Sequence, residues 1–144
     1  MNSILHKITI ETTPEKLYHA ITTQIGLSAW WTKCETSSKI DSVARFLFGP
    51  NGEHKVEMKI KRLTPNKEVQ WQCVNGPWAE TGLFTFSISP DERGAVLRFA
   101  HADWPETGDF YQHCNTKWAF FLCVSLKKYL ESGTGEPHPQ DPNI

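Results

Sequence analysis

Apolar and polar residues alternate along most of the middle of this chain, in short segments separated by turn residues. A period of two is typical of β-strands that bury one face. Turn motifs such as Gly49-Pro50-Asn51-Gly52 separate the segments, and tight turns favour antiparallel pairing of successive strands. The pattern therefore predicts an antiparallel meander, with strands at residues 4–11, 43–48, 55–62, 69–73, 82–89 and 95–101.

Three further segments have the features of helices. Thr13 and Pro14 supply a cap and a favoured first residue for one helix, and a second short helix is predicted over residues 24–31. Gly133 ends the third predicted helix, residues 109–131, as glycine commonly does. Seven of its side chains share one face at helical spacing: Tyr111, Cys114, Trp118, Phe121, Leu122, Ser125 and Tyr129.

The order of these elements predicts one α+β domain. A chain of 144 residues suffices for a single hydrophobic core, and only the C-terminal helix is long enough to cover the apolar face of the sheet. A curved sheet of six to seven strands around a rod-shaped helix leaves a gap, where we expect a cavity. We assign residues 1–133 to this domain and residues 134–144 to a loose C-terminal tail, either a surface strap or disordered.

Composition and charge exclude several classes of function. The net charge is −1 and the basic residues form no run, which argues against nucleic-acid binding. No apolar stretch approaches the roughly 20 residues of a membrane span, so we expect no membrane insertion. The N-terminal residues lack the features of a signal peptide, and the four cysteines have no CxxC spacing. A cytoplasmic protein with reduced thiols is therefore favoured, with an isolated disulfide as the alternative.

No cofactor is expected, because the sequence contains no GxSxG, HExxH or glycine-rich phosphate loop. His101, Asp103, Asp109 and His113 are residue types that bind metals, and they lie within a short stretch. Asp109, however, stands at a helix start, where capping and the helix dipole alone favour a carboxylate. We therefore predict no metal site.

Six tryptophans and eight phenylalanines are the unusual feature of the composition. Aromatic residues either fill a core or wall a ligand cavity. We predict that they line a cavity between sheet and helix, with one of Trp30 and Trp31 capping it. The candidate ligand-binding residues are Trp30, Trp31, Phe46, Phe48, Met58, Trp71, Cys73, Phe84, Phe86, Phe99, His101, Trp118, Phe121 and Leu122.

His101 shares a predicted strand face with Leu97 and Phe99, so its side chain is expected to point toward the helix. Three roles are open to it. It could contact a ligand hydroxyl or carbonyl group, act as a general base, or be a buried histidine satisfied by a neighbouring group. Cys73 lies on the same predicted face as Trp71 and is expected to be an inert buried thiol.

Several stretches carry a resemblance to a known family: PEKLYHAI from Pro14, LSAWWT from Leu27, VQW from Val69, GLFTF from Gly82, LRFAHADW from Leu97 and the segment from Trp118 to Gly133. In order and extent they resemble the START-like (SRPBCC) superfamily, within it the group similar to the activator of heat-shock-protein ATPase. The resemblance implies a helix-grip fold, in which the sheet grips the C-terminal helix around a hydrophobic cavity. Asp103 stands where relatives often have glycine, and we expect its carboxylate to alter the cavity mouth.

The resemblance leaves the function open, since relatives carry lipids, cyclise polyketides, sequester antibiotics or stimulate a chaperone ATPase. We favour binding of an apolar or aromatic small molecule, lipid or polyketide-like, without catalysis. One alternative is an enzyme of the polyketide-cyclase or hydrolase type, using His101 with Glu80 or Asp103. The other is an interaction module for a chaperone or for a second copy of the chain, with Phe120 exposed on the outer face of the helix.

Overall fold

The computed structural model describes residues 2–144, which contain one seven-stranded antiparallel sheet. In sheet order, the strands are β1 (Asn2–Ile10), β7 (Gly94–Trp104), β6 (Phe84–Asp91), β5 (Glu68–Asn75), β4 (His54–Thr64), β3 (Val43–Phe48) and β2 (Cys34–Glu35). The chain runs as a meander from β2 to β7, and β7 then pairs with β1. This arrangement confirms the predicted antiparallel meander.

Strand β2 is absent from the sequence prediction. Cys34 and Glu35 pair with Phe46 and Arg45 of β3. Two residues are too few to display a period of two, so only the neighbouring strand reveals this element.

Two short helices follow β1, as predicted: α1 (Pro14–Thr22) and α2 (Gln24–Trp30). The side-chain oxygens of Thr13 and Thr23 accept hydrogen bonds from backbone N–H groups in the first turns of α1 and α2. A side chain at Gly26 would collide with the backbone of Ala20. Glycine at position 26 therefore allows the two helices to pack closely.

The C-terminal helix has three parts: α3 (Asp109–Phe120), a π-helical segment (Phe121–Leu126) and α4 (Lys127–Ser132). The sequence predicted one uninterrupted α-helix, and the π-helical segment is the difference. A π-helical turn contains one more residue than an α-helical turn, which turns the following residues further around the axis. The segment buries Phe121, Leu122, Ser125 and Leu126, and the helix ends before Gly133, which has a left-handed φ of 93°.

Phe120 is half-buried and packs against the core, so the expectation that it is exposed is wrong. Both α2 and β1 contact the segment that follows it. The buried face of the helix is therefore wider than the single stripe inferred from the sequence.

The hydrophobic core lies between the inner face of the sheet and the helices. Alternate residues of β6 and β7 point inward, with Phe84 opposite His101 and Phe86 opposite Phe99. This α+β arrangement, a curved sheet with a long C-terminal helix, is the expected helix-grip fold. Within residues 2–144, no helix combines the length and apolar character needed to cross a membrane.

Residues 134–144, hereafter the C-terminal strap, lie against the turn between β3 and β4 and against the end of α2. The His138 N–H donates to the Trp31 carbonyl oxygen at 2.7 Å. The Gly49 N–H donates to His138 Nε2 at 3.2 Å. The division of the chain at residue 133 stays a prediction.

Candidate functional site

A cavity of about 650 Å³ lies at one end of the junction between the sheet and the C-terminal helix. Its apolar wall consists of Trp31, Phe48, Val56, Pro77, Trp78, Phe110, Cys114, Trp118 and Phe121. Its polar residues are Glu53, His54, Lys55, His113, Lys117, His138 and Asp141. Strands β3 and β4, helix α3, the loop after β5 and the C-terminal strap thus all contribute to one site.

Lys117, Asp141 and His138 form a connected polar cluster in the wall of this cavity. Lys117 Nζ lies 2.6 Å from Asp141 Oδ2, and His138 Nδ1 lies 2.7 Å from Asp141 Oδ1. Lys117 Nζ also donates to the Pro142 carbonyl oxygen at 2.6 Å. The Asp141 side chain is only 7% exposed, so both of its carboxylate oxygens are used inside the protein.

The protonation pattern of this cluster follows from its donors. Because His138 Nε2 accepts the Gly49 N–H, the ring proton is on Nδ1 and is donated to Asp141. Burial acts to raise the pKa of the Asp141 carboxyl, but the hydrogen bonds from Lys117 and His138 outweigh it and hold the pKa below its usual value. Asp141 is therefore a carboxylate at neutral pH.

Four of the predicted ligand-binding residues line the cavity: Trp31, Phe48, Trp118 and Phe121. The other ten are buried in the closed core and are not among the residues that line it: Trp30, Phe46, Met58, Trp71, Cys73, Phe84, Phe86, Phe99, His101 and Leu122. Ligand contact by any of these residues stays a prediction.

Ring-to-ring packing closes the middle of the gap between sheet and helix. The Trp118 ring lies 4.9 Å from Trp31 and 4.6 Å from Phe99 between centroids. The Trp71 ring lies 4.8 Å from Phe86 and 5.4 Å from Phe46. At such separations aromatic rings are in contact, and the 650 Å³ cavity lies at the end of the gap toward β3 and β4.

Several cavity residues were missed by the sequence analysis. Trp78 follows the turn at Asn75-Gly76-Pro77 and carries no periodic signal. Val56 was predicted on a strand and Cys114 on the helical stripe, without a role in binding. Lys117 lies beside that stripe, and its contact with the strap could not be inferred from local spacing.

His101 is fully buried beneath the sheet–helix junction. Its Nε2 lies 2.6 Å from Thr81 Oγ1, and its ring stacks on Phe84 with centroids 3.6 Å apart. Since the Thr81 hydroxyl already donates to the Trp78 carbonyl oxygen, His101 Nε2 is the donor to Thr81. Its Nδ1 is then a buried acceptor without a partner among the described residues.

Desolvation by burial lowers the pKa of His101 to about 3, so the imidazole is neutral at physiological pH. Both carboxylates proposed to assist it, Glu80 and Asp103, are exposed. Asp103 has a left-handed φ of 56°, a conformation open to glycine and to aspartate. It is not among the cavity-lining residues, and the effect of its carboxylate on the cavity mouth stays a prediction.

The cysteine thiols in the core are not activated for reaction. Burial raises the pKa of the Cys73 and Cys114 thiols, which keeps them protonated and weakly nucleophilic. Within residues 2–144, no three His, Cys, Asp or Glu side chains form a group that could hold a metal ion.

A curved antiparallel sheet that grips a long C-terminal helix beside an aromatic-walled cavity defines a helix-grip domain of the START-like superfamily. The sequence model of the family described as activator of Hsp90 ATPase homolog 1-like protein matches residues 11–131. The chain belongs to this family. A search of curated proteins found no match.

Solved structures agree with this assignment. The solution structure of the Aha1 dimer from Colwellia psychrerythraea is 41% identical, with a TM-score of 0.83 over 94% of this chain and 100% of that one. The protein SSP2350 from Staphylococcus saprophyticus is 18% identical, with a TM-score of 0.77 over 93% and 95% of the two chains. CalU16 from Micromonospora echinospora is 14% identical, with a TM-score of 0.68 over 83% and 71%. The last two similarities concern the fold alone.

Proposed function

We propose that this protein binds an apolar or aromatic small molecule in the cavity between its sheet and its C-terminal helix. The cavity itself carries the proposal: its volume of about 650 Å³ lies within the roughly 300–1,000 Å³ of known ligand pockets. Three tryptophans, Trp31, Trp78 and Trp118, contribute to the wall, and each offers a large rigid surface to an aromatic or lipid-like ligand.

The apolar area that a ligand can bury in the cavity is large enough for measurable affinity. A ligand that buries about 400 Å² of apolar surface gains roughly 10 kcal/mol at about 25 cal/mol per Å². Association costs of about 4 kcal/mol or more leave at most about 6 kcal/mol, which corresponds to a dissociation constant of tens of micromolar or weaker. Binding of this kind needs few polar contacts, and most of the wall residues are apolar.

Catalysis through His101 has less support than binding. A pKa of about 3 makes the imidazole a poor general base near neutral pH. The hydrogen-bond partner of its ring is Thr81, not a carboxylate, so no third group orients it as a base.

The test is a fluorescence titration with N-phenyl-1-naphthylamine, a neutral apolar probe, against the wild type and two variants. Val56→Phe places a larger side chain in the cavity wall, because Val56 is buried there. Val74→Phe is the matched control, since Val74 is 49% exposed. We expect Val56→Phe to weaken probe binding about tenfold, the loss of a few buried CH₂ equivalents, and Val74→Phe to leave it unchanged.

Thermal unfolding of both variants verifies that they remain folded. Equal probe affinity in the wild type and Val56→Phe would place the probe outside the cavity. Absence of probe binding to the wild type would contradict the proposal directly. A cytoplasmic location remains part of this proposal.

A second candidate function is assembly, because the relative from Colwellia psychrerythraea is a dimer at 41% identity. We propose that this chain also forms a homodimer and, as the name of its family suggests, stimulates a chaperone ATPase. Light scattering coupled to size exclusion tests the dimer, and the ATPase rate of purified Hsp90 with and without this protein tests the stimulation. A monomer without effect on that rate would remove this candidate.

A further inference from the structure

We propose that the cavity selects apolar molecules that carry an acidic group, and that in the unliganded protein Asp141 occupies the position of that group. This inference rests on the proposed binding function and specifies its ligand class. A ligand acid would replace the Asp141 carboxylate on Lys117 and displace the C-terminal strap.

The first observation is the nature of the contacts of Asp141. One carboxylate oxygen meets Lys117 Nζ and the other meets His138 Nδ1, at 2.6 and 2.7 Å. These are the contacts of an anion held between two nitrogen donors. All three side chains line the cavity, so a carboxylate or sulfonate on a bound molecule could reach the same donor on α3.

The second observation is the difference in anchoring between the two sides of this pair. Lys117 lies on α3, directly before Trp118, which is 3% exposed and packed in the core. Asp141 lies on the strap, and among the described residues the hydrophobic core contains none from 134–144. The cation is therefore fixed, whereas its partner is attached to the protein mainly by polar contacts that water or a ligand can replace.

The third observation is the charge that the strap leaves behind. The Lys117 side chain is 20% exposed, and a largely buried ammonium is costly without an anion. With Asp141 withdrawn, the charged residues of the cavity would be Lys117, Lys55 and Glu53, an excess of positive charge. An acidic ligand supplies the missing anion, while a neutral ligand does not.

The experiment uses two probes that share one apolar scaffold. Anilinonaphthalene sulfonate carries an acidic group, and N-phenyl-1-naphthylamine lacks it. Both are titrated by fluorescence against the wild type, Asp141→Asn and Glu136→Gln. The last variant is the matched control, because Glu136 is a carboxylate on the same strap that pairs with a lysine, Lys128, and does not line the cavity.

We expect Asp141→Asn to bind the sulfonate probe about tenfold more tightly, since a charge-assisted competitor for Lys117 is lost. The affinity of the neutral probe should change less than about twofold in every variant. Glu136→Gln should have little effect on either probe, because the Lys128–Glu136 pair lies outside the cavity and partly exposed ion pairs are screened. In the double variant Lys117→Gln/Asp141→Asn, the gain for the sulfonate probe should disappear.

Hydrogen exchange gives an independent measure. The His138 amide donates to the Trp31 carbonyl oxygen, and we expect the sulfonate probe, but not the neutral one, to accelerate its exchange in the wild type.

Unchanged or weaker sulfonate binding in Asp141→Asn would overturn the inference. Equal gains in Asp141→Asn and Glu136→Gln would also overturn it, because they would indicate a general effect of removing one negative charge from the strap. In both cases the binding function survives as long as the neutral probe binds in the cavity. Failure of the neutral probe to bind would instead remove the proposed function and this inference together.

Discussion

The aromatic layer of this protein has two regions of similar composition, one in the middle of the sheet and one toward β3 and β4, and only the first is filled with side chains. In the middle of the sheet, Phe86 and Phe99 face each other across β6 and β7 with ring centroids 5.1 Å apart, and both are buried. Toward β3 and β4, Phe48 is only half-buried and faces the 650 Å³ cavity. Aromatic content alone therefore does not decide between core and cavity.

The difference comes from what lies opposite each ring. Phe99 packs against Trp118 of the helix, and Phe86 packs against Trp71 of the neighbouring strand β5, so side chains interdigitate as in other protein interiors. Phe48 faces the ring of His138 at 5.5 Å, which belongs to the polar, proline-containing strap. Regular elements on both sides produce a filled core, and an irregular segment on one side leaves space.

Truncation of one ring in each region should give the greatest difference in the free energy of unfolding. Phe86→Ala should reduce the free energy of unfolding by about 4 kcal/mol, because it removes a buried ring from a packed core. Phe48→Ala should cost about 1 kcal/mol, since its ring already borders open space. Urea unfolding monitored by circular dichroism measures both. Equal losses would mean that the cavity end is packed as tightly as the core.

The pH dependence of stability should also distinguish the packed core, which contains His101, from the cavity region, by a smaller difference in free energy. The pKa of His101 falls from the ordinary value of 6.5 to about 3 in the folded protein, because of burial. Between these values the unfolded chain binds a proton that the folded chain excludes, so stability falls as pH drops from about 6.5. The slope should be at most about 1.4 kcal/mol per pH unit from this group, and burial, which lowers the pKa of His6, adds in the same direction.

His101→Leu should flatten this slope between about pH 6 and 4, as measured by urea unfolding at several pH values. His113→Gln, at the exposed rim of the cavity, controls for the loss of one histidine. An unchanged slope in His101→Leu would assign the acid sensitivity to other groups.

The smallest expected effect concerns Ser125, which joins the core to the strap. Its hydroxyl donates to the Trp30 carbonyl oxygen at 2.7 Å and accepts the Glu136 N–H at 2.8 Å. Ser125→Ala leaves both groups without this partner and should cost about 1–2 kcal/mol. Thr116→Ala, an exposed hydroxyl on the same helix, should cost less than about 0.5 kcal/mol. Similar losses in the two thermal unfolding curves would argue that the strap contributes no stability.

Most of the fold was predictable because it repeats locally. Strands such as β4 and β7 show their buried faces in every second residue, and the caps at Thr13 and Gly133 mark helix ends. The position of the cavity was less accessible. It depends on Trp78, which lies outside any periodic segment, and on the contact between Lys117 and Asp141, which are far apart in the sequence. Contacts between residues distant in sequence produce no periodic pattern, and a proline-rich segment such as the C-terminal strap has no helical or strand pattern from which its position could be predicted.

Because the π-helical segment contains an extra residue, the C-terminal helix can contact both the aromatic layer and the end of β1. A continuous α-helix would not point the required side chains toward both. Before the π-helical segment, Cys114 and Trp118 face the aromatic layer. After it, Lys127 Nζ donates to the Thr9 carbonyl oxygen and Glu131 accepts the Glu11 N–H, both at the end of β1. Deletion of one residue between them would rotate the second surface by about 100° relative to the first. Insertions and deletions are therefore poorly tolerated at this point of the chain and should accumulate in the turns between strands.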